Sequence, residues 1–121
     1  MRPERLYLTD IVDAAEAVAG FIGGLARESF EGNDLLRSAV LHKLMLIGEA
    51  AARLPGDFKS RYPEVPWSDV VGFRNIAVHE YFAVDWVIVW NAATIDAPEV
   101  RRLVAGIIER EFGPEEGAAG S

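Results

Sequence analysis

The sequence contains no cysteine, only two histidines and too few basic residues to balance its acids, and each shortage excludes a class of function. Without cysteine the chain has no disulfide, thiolate metal site or cysteine nucleophile, and a reducing compartment, the cytoplasm, is predicted. The charged start predicts no signal peptide, and no apolar run approaches the roughly 18–20 residues of a membrane span. A formal charge of −7 argues, taken alone, against binding to nucleic acid, because phosphates attract basic surfaces.

The composition is that of a globular protein, with 50% apolar and 26% charged residues. A length of 121 residues suits one compact domain with a buried core. Residues 113–121 contain glycine, proline, acidic and small residues without an apolar period. We therefore predict one domain over residues 1–112 and a disordered tail over residues 113–121.

Apolar residues recur at three- and four-residue steps along most of the chain, which predicts helices. The first apolar stripe spans residues 7–25 and the second spans residues 36–54. Asn33 or Asp34 can cap the second helix, and Pro55 stops it. These two long helices are predicted to form an antiparallel hairpin.

Shorter helices are predicted to follow. Pro66 suits the first position of a third helix, and Asp85 can cap a fourth, in which the run 87–89 is interpreted as buried helix instead of strand. Asp96 with Glu99 resembles a capping box that opens the last helix. Together these elements predict an all-α, up-and-down bundle of four to five helices.

Residues 72–82 gather polar side chains in an otherwise apolar window. Within eight residues the segment contains Arg74, Asn75, His79 and Tyr81. At 100° per residue, Asn75 and His79 share one side of a helix, whereas Arg74 and His79 differ by about 140°. One rigid helix therefore does not aim both at one atom. Either the long arginine side chain reaches round, or two copies of the helix build the site across a dimer.

Two interpretations of this segment are open. In the first it is an ion-paired core cluster, with Arg74 bound to Glu49 and Tyr81 to a backbone carbonyl, since burying unpaired polar groups is costly. In the second it is a reactive site in which His79 moves a proton and Arg74 offers a fork to a phosphate. With Asn75 as a neutral donor, these groups suit attack of an RNA 2′-hydroxyl on the adjacent phosphate. No metal site and no cofactor is predicted.

The segment Arg74-Asn75-Ile76-Ala77-Val78-His79-Glu80-Tyr81 resembles the signature of the HepT-like toxins, a branch of the HEPN superfamily. That signature is Arg, four residues, His, one residue and Tyr, often with Asn directly after the Arg. The resemblance extends in order and spacing to other segments and covers roughly residues 5–111. Those segments are residues 7–11, 47–51, 62–67, 81–82 and 89–90.

The resemblance implies a HEPN-like bundle that forms a homodimer, with the signature helices of two protomers lining a shared cleft. It implies a metal-independent endoribonuclease, the toxin of a type VII toxin–antitoxin pair, with His79 as acid and base and Arg74 as phosphate stabiliser. Asn75 is implied as a supporting residue. The implied partner is an MntA-like nucleotidyltransferase antitoxin, which silences the toxin by AMPylation of Tyr81. The alternative is a non-catalytic α-helical module that binds a nucleotide or a nucleotidyltransferase partner.

Four residues outside the signature receive structural interpretations. His42 is interpreted as a solvated or partner-facing surface residue, because nothing nearby in sequence completes a metal or triad pattern. Gly48 and Glu49 are interpreted as helix packing with an ion-pair role near the cleft, and Trp67 as a packing anchor. Since two of the acids lie in the predicted tail, the acidic total does not exclude RNA, and it favours a small cleft that engages a few nucleotides.

Overall fold

The computed structural model describes residues 3–76 and 84–113, and all regular secondary structure in these two ranges is helical. The predicted all-α class is therefore confirmed. His79, Tyr81 and the tail from residue 114 onward lie outside the described residues. In chain order, the elements are α1 (Pro3–Ile22), α2 (Arg27–Glu31), α3 (Asp34–Arg53), α4 (Gly56–Ser60), α5 (Trp67–Gly72), a 3₁₀ turn (Phe73–Asn75), α6 (Trp86–Asn91), a π turn (Ala92–Asp96) and α7 (Ala97–Phe112).

The core forms where α1 packs against both α3 and α7. The Tyr7 side chain near the start of α1 interacts with Arg53 at the end of α3, so these two helices are antiparallel. The guanidinium of Arg5 lies over the ring of Phe112 at the end of α7, so α7 also runs opposite to α1. This is the up-and-down arrangement that the sequence predicts. The apolar stripes meet at fully buried side chains, which include Leu8, Ile11, Val18, Val40, Leu44, Ile47, Val104 and Ile107.

Two of the predicted helix caps are present. The Asn33 side chain accepts a hydrogen bond from the backbone N–H of Leu36 at 3.0 Å, which caps α3. The Asp85 carboxylate accepts one from the backbone N–H of Val87 at 3.0 Å, which caps α6. The run 87–89 is helical as predicted, but its predicted burial is wrong for two of its residues: Val89 is buried, whereas Val87 and Ile88 are exposed. Pro66 lies one residue earlier than predicted, since it precedes α5 instead of opening it.

The predicted capping box at Asp96 is wrong. Asp96 has helical backbone angles, φ −76° and ψ −45°, and its side chain caps no backbone N–H. The chain instead continues through the π turn, so that α6 and α7 form one uninterrupted helical run. A proline inside a helix clashes with the carbonyl four residues earlier, here that of Thr94, and the wider π turn gives Pro98 the room it needs.

Helix α2 was not predicted, because five residues are too few to show a helical period. Its anchor is Phe30, whose side chain is fully buried. The ring centroid of Phe30 lies 6.2 Å from that of Trp86 and 5.2 Å from that of Trp90. Contacts of this kind between aromatic rings add to the stabilisation from burial, so α2 fixes the position of α6.

A group of charged side chains, which we call the Tyr62 cluster, ties the segment after α4 to the end of α7. Arg61 pairs with Glu111 at 2.9 Å, and Arg110 pairs with Glu64 at 2.8 Å. Both guanidinium groups lie over the ring of Tyr62, at 5.7 and 5.3 Å from its centroid. The Tyr62 hydroxyl donates a hydrogen bond to the Glu111 carboxylate. The cluster therefore connects parts of the chain that are far apart in sequence.

Among the residues that the structure describes, no helix is both long enough and apolar enough to cross a membrane.

Candidate active-site cleft at Arg74

Arg74 and Asn75 reach the surface because of how α5 begins and ends. The Trp67 side chain is partly buried, and its ring N–H donates to the carbonyl of Tyr62 at 3.0 Å, which makes it the predicted packing anchor. After α5, the 3₁₀ turn buries Phe73 and leaves Arg74 and Asn75 exposed. The turn thus points one residue into the core and the next two toward solvent.

Helix α3 approaches this turn closely at Gly48. A Cβ atom at position 48 would lie 2.5 Å from the backbone N of Arg74 and 3.0 Å from the carbonyl oxygen of Val71. Both of these atoms belong to the backbone and cannot rotate away. Glycine is therefore required for the close approach, and the approach places the next residue of α3, Glu49, beside Arg74.

Glu49 forms an ion pair with Arg74. Its Oε1 atom accepts from Nη1 of Arg74 at 3.4 Å, while its Oε2 atom accepts from Nε of Arg53 at 3.2 Å. The side chains of Arg74 and Glu49 are 43% and 45% exposed. The pairing expected for a core cluster is thus present, but the burial is not, and no polar or charged residue in the described ranges is buried.

We call Glu49, Arg53 and Arg74 the Arg74 cluster. One carboxylate faces two guanidinium groups, so the cluster carries a net charge of about +1. Interaction with the Tyr7 side chain, and next with the Glu49 carboxylate, raises the pKa of Arg53. Arg53 therefore stays charged at any physiological pH. The cluster can attract an anion even though the whole chain is acidic.

Arg74 opens onto a cleft of about 380 Å³ between α3 and the 3₁₀ turn. Both polar and apolar side chains line it. They are His42, Met45, Leu46, Glu49, Arg74 and Asn75. The structure therefore brings Arg74 and Asn75 together on one cleft, whereas His79 and Tyr81 lie outside the described residues and their roles stay predictions.

His42 is the residue of this cleft that the sequence analysis assigned only to the surface. It is exposed, as predicted, but it lines the same cleft as Arg74. A signal was available in the sequence. His42 and Glu49 are seven residues apart on α3, which is two helical turns, so they share one face.

A second groove continues from the cleft along α1 and α3, with a volume of about 460 Å³. It shares Leu46 and Glu49 with the cleft, so the two depressions are contiguous. Its remaining lining residues are Tyr7, Asp10, Asp13, Ala14, Lys43, Ala50 and Arg53. Within residues 3–76 and 84–113, no group of three or more His, Asp or Glu side chains is placed to hold a metal ion.

The fold and the cleft together define an all-α bundle protein with an exposed arginine on an open cleft. The sequence model described as ribonuclease HepT-like matches residues 11–107, and the chain therefore belongs to the HepT-like ribonuclease family. The resemblance seen in the motif at residues 74–81 is thereby confirmed.

Proteins of archaea are similar to the chain over most of its length. "Putative RNase MJ1380" of Methanocaldococcus jannaschii is 35% identical over 103 residues, which cover 85% of this chain and 94% of the relative. "Putative RNase MJ1216" of the same organism is 31% identical, with 95% of each chain covered. "Probable ribonuclease HepT" of Thermococcus cleftensis is 34% identical, with coverage of 83% and 91%. No solved structure gives a significant match.

Proposed function

We propose that the protein is an endoribonuclease that acts as the toxin of a toxin–antitoxin pair. The observation that carries this proposal is the exposed Arg74 guanidinium in an open cleft, on a chain that belongs to the HepT-like ribonuclease family. Relatives that cover most of the chain are named as RNases, which supports RNA as the substrate.

In the proposed reaction, Arg74 binds the scissile phosphate. Guanidinium groups bind phosphate oxygens through parallel N–H donors, and a fixed positive charge stabilises the negative charge that develops on them. Asn75 lies on the same cleft and adds a neutral donor. The second arginine of the Arg74 cluster supports this role, because the Glu49 carboxylate is shared between two guanidinium groups and does not neutralise both.

His79 is proposed as the acid and base. The 2′-hydroxyl of the RNA loses its proton to imidazole and attacks the adjacent phosphorus, while the bond to the 5′-oxygen breaks and that oxygen receives a proton. The products are a 2′,3′-cyclic phosphate and a 5′-hydroxyl end, and the step needs neither a metal ion nor an added nucleophile. A homodimer would supply a second imidazole to the same cleft, which would also overcome the 140° separation of Arg74 and His79 on one helix.

Regulation is proposed to occur at Tyr81. An MntA-like nucleotidyltransferase partner would attach AMP to its hydroxyl, with release of pyrophosphate from ATP. The added phosphate would carry negative charge next to the signature arginine and compete with RNA for it. Co-expression with the partner should then yield a Tyr81 peptide heavier by one or more AMP units. A Tyr81 peptide of unmodified mass would contradict this part of the proposal.

The test of the ribonuclease is cleavage of RNA by purified protein in excess EDTA. Replacing Arg74 or His79 by Ala should reduce the rate by about 100-fold or more, the usual cost of losing a group that stabilises the transition state. Arg101→Ala is the matched control, because Arg101 forms an exposed ion pair with Glu16 at 3.2 Å, away from the cleft. Cleavage that stops in EDTA, or that survives both substitutions, would contradict the mechanism. No cleavage by any variant, with partner binding retained, would favour the non-catalytic module.

A further inference from the structure

The Glu49 carboxylate joins the arginine of the cleft to helix α3. Its two oxygens bind different guanidinium groups, that of Arg74 at 3.4 Å and that of Arg53 at 3.2 Å. We propose that Glu49 is a positioning residue, which directs the Arg74 guanidinium across the cleft so that its free donors meet the RNA phosphate. This inference rests on the proposed ribonuclease function.

The backbone fixes the distance that Glu49 has to span. Because Gly48 lets α3 pack directly against the 3₁₀ turn, the backbones at Glu49 and Arg74 lie close together. Arg53 lies one helical turn after Glu49 and holds the other carboxylate oxygen on the side of α3. The carboxylate is thus restrained at one oxygen and presents the other to Arg74.

The contact orients Arg74 without saturating it. A guanidinium carries five N–H donors, and in the part of the chain that the structure describes only Nη1 of Arg74 has a partner. The remaining donors include a complete edge that can bind two phosphate oxygens. A single contact at one corner restricts rotation of the side chain, so the free edge is aligned for the transition state.

The position of Glu49 has two effects of opposite sign on the reaction. Its negative charge next to the phosphate site weakens binding of RNA, by about threefold for a half-exposed charge in water. Its hold on Arg74 improves alignment in the transition state, and a misplaced catalytic group costs about tenfold or more in rate. Removing Glu49 should therefore lower kcat and lower KM together, a combination that loss of folded protein does not produce.

The experiment compares Glu49→Ala and Glu49→Gln in cleavage of a short RNA by the full-length protein. Both variants should lower KM by about threefold, because both remove the charge. Glu49→Ala should lower kcat about tenfold, whereas Glu49→Gln should lose less, because its amide oxygen still accepts from Arg74. The matched control is Glu16→Gln, which removes the same charge from an exposed pair at the same 3.2 Å distance as Glu49–Arg53 and should change neither constant.

A second measurement does not depend on activity. In spectra of ¹⁵N-labelled protein, the side-chain Nε–Hε signal of Arg74, assigned by its loss in Arg74→Lys, should be resolved in wild type and averaged toward the free value in Glu49→Ala. An unchanged signal, or a kcat of Glu49→Ala within twofold of wild type, would overturn the role of Glu49. Wild-type rates in Arg74→Ala would instead overturn the ribonuclease mechanism, so the two failures are distinguishable.

Discussion

The Arg74 cluster and the Tyr62 cluster use the same residue types in opposite ways. In the Tyr62 cluster two carboxylates meet two guanidinium groups at 2.8 and 2.9 Å, and both guanidinium groups also lie over an aromatic ring. In the Arg74 cluster one carboxylate serves two guanidinium groups at 3.2 and 3.4 Å. The first cluster is neutral and its charges are matched, whereas the second keeps an excess positive charge at the edge of a cleft.

This difference separates a cluster that connects helices from one that lies at a cleft. In the Tyr62 cluster, matched pairs and cation–π contacts join distant parts of the chain. A half-exposed arginine with one long contact contributes little to stability but retains donors for an anion. Arginine and glutamate alone therefore do not indicate a site; what distinguishes Arg74 is that it shares one carboxylate with a second arginine and lines an open cleft.

The largest expected effect on stability comes from adding a side chain at Gly48. The Arg74 cluster depends on the close approach of α3 to the 3₁₀ turn at this residue. Gly48→Ala should destabilise the fold by about 2 kcal/mol, because the new Cβ atom meets backbone atoms that cannot move aside. It should also slow cleavage, since the 3₁₀ turn that carries Arg74 must shift. Urea unfolding and initial cleavage rates measure the two effects.

The control for this prediction is Gly106→Ala in α7, where an added Cβ atom would have no neighbour within 4 Å. That variant should be more stable than wild type by about 0.5–1 kcal/mol, because alanine favours a helix over glycine. If Gly48→Ala matched Gly106→Ala in stability, the close approach would not be a constraint on the Arg74 cluster.

A smaller effect on stability is expected from removing one arginine from each cluster in turn. Arg110→Ala should cost about 1 kcal/mol of stability, through loss of its contact with the Tyr62 ring, and should leave the cleavage rate within twofold of wild type. Arg74→Ala should do the reverse, with unfolding nearly unchanged and cleavage lost. Thermal unfolding and cleavage rates, measured on the same samples, should show the crossed pattern. Equal loss of both properties in either variant would remove the distinction.

Much of the fold follows from local signals in the sequence. The apolar stripes of α1 and α3 and the caps at Asn33 and Asp85 depend on residues a few positions apart, and they were predicted from the sequence. The π turn was not, because it accommodates Pro98 while Ala92 and Ala93 within the turn, and Ala97 directly after it, stay buried in the core. Such a turn depends on packing against other helices, and a local sequence pattern does not predict that packing.

The candidate site also contains one feature that the sequence predicts and others that depend on contacts between distant parts of the chain. The Arg74–Glu49 pair was one of the two interpretations of the polar segment, because both residues had a clear chemical reason to pair. His42 was placed correctly at the surface but not in the cleft: its shared helix face with Glu49 was a usable signal, whereas the other wall, Arg74 and Asn75, comes from a turn more than 30 residues later in the chain. The stacking of Arg61 and Arg110 on Tyr62 has the same origin and could not be read from spacing.

The smallest expected effect is the pH dependence of the matched pair between Glu64 and Arg110. A hydrogen bond from its own backbone N–H, followed by that from Arg110, lowers the pKa of Glu64 from its usual value of about 4.5. The folded state therefore binds fewer protons than the unfolded state, and the stabilisation is present above pH 4.5 and lost as the pH falls through the folded pKa.

A double-mutant cycle of Glu64→Gln and Arg110→Gln, measured by thermal unfolding, should give a coupling that is constant near pH 7 and disappears in acid. A coupling that persisted below the folded pKa would show that Glu64 and Arg110 are joined by a hydrogen bond that does not need the carboxylate charge. Matched charge at this pair would then no longer distinguish the Tyr62 cluster from the Arg74 cluster.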